Sequence, residues 1–146
     1  MNRYIKVNLP LLLLLSVTLS GVYSCSRTES KPQTEEFVQD GIASNISPEK
    51  FQKLIVSNKG LIIDVRTPEE YQTGSIPGSE NIDFKGEKFQ ADIDSLDRGT
   101  PVYLYCRSGR RSGITMTMMQ EMGFTEIYNL NGGILAWSEE GLPVQK

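Results

Sequence analysis

The sequence predicts a single α/β domain built on a mostly parallel β-sheet with helices on both faces. Strand-like and helix-like segments alternate from Ser44 to the C-terminus, an order that lays parallel strands side by side with helices crossing between them. The two strongest strand-like segments, residues 61–65 and 102–105, are nearly continuous apolar runs, as buried strands are. The stretch is about 100 residues long, enough for one core, and it contains no internal repeat.

Each element has its own local reason. Ser47-Pro48 suits a helix start, with serine as the cap and proline in the first turn. Phe51, Leu54 and Ile55 then share one face, and Gly60 closes the segment. Leu-Ile-Ile-Asp-Val at 61–65 reads as a buried strand. Thr67-Pro68-Glu69-Glu70 is a capping-box sequence with proline just inside, so a short helix follows. Residues 74–78 form a turn-rich loop, 81–83 a short strand, 84–96 a helix and 97–101 a loop. Val-Tyr-Leu-Tyr at 102–105 is a strand rich in aromatic and branched residues. Residues 114–122 read as a helix stopped by Gly123, 126–130 as a strand and 131–133 as a turn. Residues 134–140 make a last helix carrying Trp137.

The N-terminal part of the 146-residue chain has a different character. Arg3 and Lys6 precede an almost wholly apolar stretch at 9–19, and Gly21-Val22-Tyr23-Ser24-Cys25 follows. A charged start, a short apolar stretch and small residues describe a secretory signal. The stretch is shorter than the roughly 20 residues a bilayer span requires. Val22-Tyr23-Ser24-Cys25 resembles the lipobox of bacterial lipoproteins, although Tyr23 is bulkier than usual there. The resemblance implies a signal peptide at 1–24, a lipid on Cys25 and a protein held at a membrane of the bacterial cell envelope, facing the periplasm or the exterior. An ordinary signal with an incidental cysteine and an uncleaved anchor are the alternatives. Residues 25–43 would then be the lipidated cysteine and a polar tether interrupted by Pro32, with Phe37 and Val38 alone favouring a docked arm. The domain is expected over 44–146.

Composition removes several classes of function. The formal charge is −3, and loss of residues 1–24 would lower it by two more, because Arg3 and Lys6 leave with no acid. That balance argues against a nucleic-acid partner. The chain has no histidine, which excludes Ser-His-Asp and Cys-His machinery and removes the commonest metal ligand. The methionines at 116, 118, 119 and 122 read as core filler rather than a metal site. With Cys25 lipidated, Cys106 is the sole thiol, so no internal disulfide can form.

Cys106 ends the strand at 102–105 and opens the loop Cys106-Arg107-Ser108-Gly109-Arg110-Arg111-Ser112. Strand, tight loop and helix in succession aim backbone N–H groups and a helix N-terminus at the sulfur. Arg107, Arg110 and Arg111 add positive charge, and such surroundings lower a thiol pKa. The carboxyl end of a parallel strand is also where open α/β sheets bind ligands. Taken alone, the loop favours a functional thiol over the alternative of an inert buried cysteine beside a solvated turn.

Three motifs in order connect the chain to a family: Leu-Ile-Ile-Asp-Val-Arg-Thr-Pro-Glu-Glu-Tyr-Gln-Thr-Gly-Ser-Ile-Pro-Gly-Ser-Glu-Asn-Ile at 61–82, the loop at 106–112, and Leu-Asn-Gly-Gly-Ile-Leu-Ala-Trp at 130–137. Together they resemble single-domain rhodanese-like proteins over residues 44–143. The resemblance implies a sulfurtransferase that needs no cofactor or metal. Cys106 would take the sulfane sulfur of a small anionic donor such as thiosulfate as a persulfide, then pass it to a thiol or cyanide. A protein acceptor is not identified by the sequence. Residues 107–112 would cradle the sulfur, with Arg107 and Arg110 attracting the donor, Gly109 allowing positive φ and Arg111 closing the loop on a carboxylate. Asp64 and Arg66 match the family's Asp-x-Arg, read here as a structural ion pair rather than a substrate contact. Ser75 stands where many relatives carry histidine.

Two rivals remain. Relatives that bind phosphate or arsenate have a loop longer by one residue, with arginine at the position occupied here by Ser112, so a phosphatase or arsenate reductase fits less well. Some rhodanese-like domains are non-catalytic binding modules, but those have lost the cysteine that this chain keeps.

Overall fold

The computed structural model describes residues 41–146. The expected signal peptide, Cys25 and nearly all of the tether therefore lie outside the described residues. Among the described residues, no helix is long and apolar enough to cross a membrane.

Five strands and five helices alternate in sequence: β1 (Ile42–Ile46), α1 (Pro48–Ser57), β2 (Leu61–Asp64), α2 (Pro68–Gln72), β3 (Glu80–Asn81), α3 (Phe89–Asp94), β4 (Val102–Tyr105), α4 (Arg110–Glu121), β5 (Glu126–Leu130) and α5 (Gly133–Glu139). The strands form one sheet in the order β1-β5-β4-β2-β3, and every neighbouring pair is parallel. β4 is central, paired with β2 from Leu61↔Val102 to Asp64↔Tyr105 and with β5 from Val102↔Ile127 to Leu104↔Asn129.

Alternation along β4 divides the core. Val102, Leu104 and Cys106 join Ile63, Ile93 and Met119 on one face of the sheet, covered by α3 and α4. Tyr103 and Tyr105 join Phe51, Leu130, Ile134 and Trp137 on the other, covered by α1 and α5. Phe51 meets Tyr103 and Trp137 edge-on, with ring centroids 5.7 and 5.9 Å apart. Each such pair contributes about 0.5–1.5 kcal/mol beyond its area burial. Helices cover both faces, as the sequence predicts.

The helix starts follow from local chemistry. The Ser47 side chain accepts the Lys50 N–H, with Pro48 in the first turn. At α2 the Glu70 carboxylate accepts the Thr67 N–H at 3.1 Å while Thr67 Oγ1 accepts the Glu70 N–H at 3.4 Å, completing the capping box.

The structure corrects several expectations. β1 begins at Ile42, inside the segment assigned to the tether, and it was not anticipated as a strand. It is an edge strand with Ile42 53 % exposed, so it lacks the apolar run of a central strand. The short strand pairs through Glu80–Asn81 rather than 81–83. The helix expected over 84–96 is confined to Phe89–Asp94. A turn precedes it, in which Asp83 accepts the Lys85 N–H on its side chain and the Gly86 N–H on its carbonyl. α4 begins at Arg110, four residues before the start read from its apolar pattern.

Candidate active site

Cys106 follows the last residue of β4 at the carboxyl end of the sheet and is 1 % exposed. Gly109 turns the chain into α4 with φ of +88°, a conformation that suits glycine. Its N–H donates to Cys106 Sγ at 3.2 Å. Burial pushes the thiol pKa up. The Ser112 hydroxyl and the backbone N–H groups of Ser112, Ser108 and Arg111 outweigh it, and the net direction is down. Ser112 Oγ is buried and makes no hydrogen bond among the described residues, so its proton is available to the sulfur. Replacing Ser112 with alanine removes that donor and only one atom. The pH at which Cys106 becomes half-reactive toward iodoacetamide is expected to rise in Ser112→Ala. It should lie below that of the urea-unfolded chain in the parent protein. Cys25→Ser in both backgrounds leaves one thiol to follow.

The loop is held from below by α5. The Ile134 N–H donates to the Cys106 carbonyl at 2.9 Å and the Leu135 N–H to the Arg107 carbonyl at 3.2 Å. This close approach requires Gly133, which has φ of +61°; a Cβ there would lie 2.6 Å from the Arg107 carbonyl carbon and oxygen. Asn129 on β5 adds a side brace. Its Nδ2 donates to the Gly109 carbonyl at 3.2 Å and to Asn45 Oδ1 at 2.6 Å, tying the loop to β1. Neither Asn129 nor the bracing role of Gly133 was anticipated from the sequence, where the Gly132-Gly133 pair signalled only a turn.

The arginines divide by partner. Arg111 is bidentate to Glu70, with Nη1 2.7 Å from Oε2 and Nη2 2.8 Å from Oε1. The fork holds the Glu70 carboxyl down at about 2. Glu70 thus caps α2 and clamps the loop at once, which gives Arg111 the carboxylate partner expected for it. Arg66 is buried against Asp64, its Nη2 2.6 Å from Oδ2, and donates to the Gly74 carbonyl at 2.7 Å. It also lies over the Tyr105 ring. That geometry is the structural ion pair read from the sequence. Arg107 and Arg110 are exposed and make no ion pair with the described residues.

Two hollows flank the loop. One, of about 550 Å³, is lined by Arg107, Ser108, Arg110 and Arg111 together with Lys85, Phe84 and Ile114. The other, of about 510 Å³, lies against Arg66, Glu69 and Thr73 and the apolar Ile134, Leu135 and Val144. Ser75 is committed to an antiparallel bridge with Gln145, each residue's N–H donating to the other's carbonyl at 2.9 Å. Among the described residues there is no cluster of three or more acidic, cysteine or histidine side chains able to hold a metal.

Residues 47–140 match the family model described as the rhodanese-like domain. The chain belongs to the rhodanese-like domain family. It is 32 % identical over 93 residues to a sulfurtransferase of Allochromatium vinosum, covering 64 % of this chain and 85 % of that one. It is also 32 % identical over 93 residues to a tRNA uridine(34) hydroxylase of Pelagibacter ubique, covering 63 % of this chain but only 31 % of that longer protein. Among solved structures it is similar to a rhodanese-related protein from Thermoplasma volcanium, with a TM-score of 0.61 and 29 % identity. That likeness covers 69 % of this chain and 96 % of the other. The matched segment holds β2 to β5, all five helices and the loop that carries Cys106, while β1 precedes it.

Proposed function

We propose that this protein is a sulfurtransferase in which Cys106 takes a sulfane sulfur from an anionic donor such as thiosulfate and passes it to a thiol or cyanide. The observation that carries the reading is the sulfur at the centre of the loop, where hydroxyl and backbone donors favour its anion without a histidine. The Cys106 thiolate attacks the outer sulfur of thiosulfate. The new S–S bond forms as the sulfur–sulfite bond breaks, and sulfite leaves with the bonding pair. The acceptor thiolate then attacks the outer sulfur of the Cys106 persulfide, and the Cys106 thiolate departs regenerated. Oxidation states balance across the two steps, so no redox partner is required. Release of one sulfite per protein on mixing with thiosulfate alone tests the first step; release without Cys106 modification would sink it.

The unpaired charge of Lys85, Arg107 and Arg110 supports a donor site in the hollow they line, while Arg111 is engaged by Glu70 and is less free to chelate a tetrahedral oxyanion. Arg107→Ala and Arg110→Ala are expected to raise the thiosulfate KM by several-fold with a smaller fall in kcat, as loss of uniform binding does. Steady-state kinetics with cyanide as acceptor read this directly, and an unchanged KM in both would refute it.

The same reading places the protein at a membrane of the cell envelope through a lipid on Cys25. Growth with a clickable fatty-acid analogue is expected to label the wild-type protein and not Cys25→Ala. Equal labelling of the two would remove the anchor.

A further inference from the structure

The two hollows differ in chemistry although both are lined by Glu70 and by Arg107, the residue that follows Cys106. Building on the sulfur-transfer reading, we infer that the acceptor's body docks in the second hollow, against Leu135 and Val144, and that this acceptor is a thiol on an uncharged, apolar body. The donor cavity offers Lys85, Arg107 and Arg110 without acidic partners among the described residues. In the second hollow the one additional cation, Arg66, is spent on Asp64 and the Gly74 carbonyl. Glu69 stands there without an ion-pair partner among the described residues, and it repels an anion. Leu135 and Val144 remain 47 % and 42 % exposed, leaving apolar surface that a ligand of like character would cover.

α5 supplies Leu135 to this wall and the C-terminal segment supplies Val144. The paired backbone bonds between Ser75 and Gln145, a bond of 3.2 Å from Gln145 Nε2 to Ser75 Oγ, and the Trp137 Nε1–H donated to the Pro143 carbonyl at 2.8 Å hold the segment on both sides of Val144. Ser75 therefore shapes the site indirectly, by fixing the strap that carries Val144.

Chemistry permits the division. The attacking sulfur must align with the Cys106–sulfur bond, just as the departing sulfite did. The two ligands therefore share the reacting centre and differ in where their bodies lie. Two-step transfer lets each half be measured alone.

The test loads the full-length protein with thiosulfate, removes the excess, and follows persulfide loss to 2-phenylethanethiol or to 3-mercaptopropionate. In the double variant Leu135→Gln, Val144→Thr, unloading by phenylethanethiol is expected to slow about tenfold, the low end of what a lost apolar contact gives. Loading by thiosulfate and unloading by mercaptopropionate should stay within about twofold of wild type, since neither ligand uses the apolar wall. Ile114→Gln, on the donor side, should not slow phenylethanethiol. Glu69→Gln, an exposed change that leaves the apolar wall intact, should speed unloading by mercaptopropionate about threefold, the scale of one surface charge. Equal slowing of both thiols, no slowing of either, the same loss in Ile114→Gln, or no response in Glu69→Gln each overturns the inference. Failure of the wild type to load is a different result: it defeats sulfur transfer itself and the acceptor site with it.

Discussion

Cys106→Ser is expected to abolish sulfur transfer, with thiosulfate:cyanide turnover falling by more than about 10³-fold, while the fold is retained. A serine hydroxyl fits the space of the buried thiol. It is not ionised by hydrogen bonds from Ser112 and the loop backbone at neutral pH, and it cannot hold a sulfur atom as a persulfide. Because Cys106 packs among Ile63, Leu104 and Met119 at the edge of the core, the exchange perturbs packing little. The melting temperature and circular dichroism should stay close to wild type. Residual turnover near the parent level would mean that another group carries the sulfur.

The second large effect is remote from the sulfur in sequence. Gly133→Ala is expected to destabilise the domain by more than about 2 kcal/mol, because it combines a left-handed residue with a backbone clash. The clash falls on the carbonyl carbon and oxygen of Arg107, so the loop carrying Cys106 must move. Activity should be lost even at temperatures where the variant remains folded. Urea unfolding gives the stability, and sulfite release gives the activity. A stable variant with normal sulfite release would show that the loop does not depend on its seat against α5.

These two residues mark the limits of what could be read from the sequence. The Cys106 loop was legible because strand, turn and helix are continuous in the chain, and because β2 and β4 are buried deeply enough to show as apolar runs. β1 was hidden, since Ile-Ala-Ser-Asn-Ile at an edge carries no such run. Its partner β5 lies far along the chain, beginning at Ile42↔Glu126. The start of α4 was misplaced because Gly109 sets it through backbone conformation, whereas Arg110 to Gly113 show no apolar periodicity. The braces were harder still. Glu70 carried a sufficient local explanation as a capping residue, yet the same carboxylate reaches Arg111 across 41 positions. Asn129 reaches Gly109 across 20. Such contacts leave no periodic trace, and only the folded topology brings them together.

The placement of charge was legible in total and not in detail. Arginine-rich loops look uniformly cationic in sequence. In the structure Arg111 is neutralised by Glu70 and Arg66 by Asp64, leaving Arg107, Arg110 and Lys85 without ion-pair partners among the described residues, all three on the lining of one hollow.

The most direct test of the central claim is the intact mass of the purified chain from Ser26 onward, recorded before thiosulfate, after it, and again after a thiol. Sulfur transfer predicts a gain equal to one sulfur atom, mapped to Cys106 by fragmentation and lost again to the thiol. No gain, with Cys106 shown to be free and alkylatable, would contradict a persulfide carrier and leave the loop a binding site.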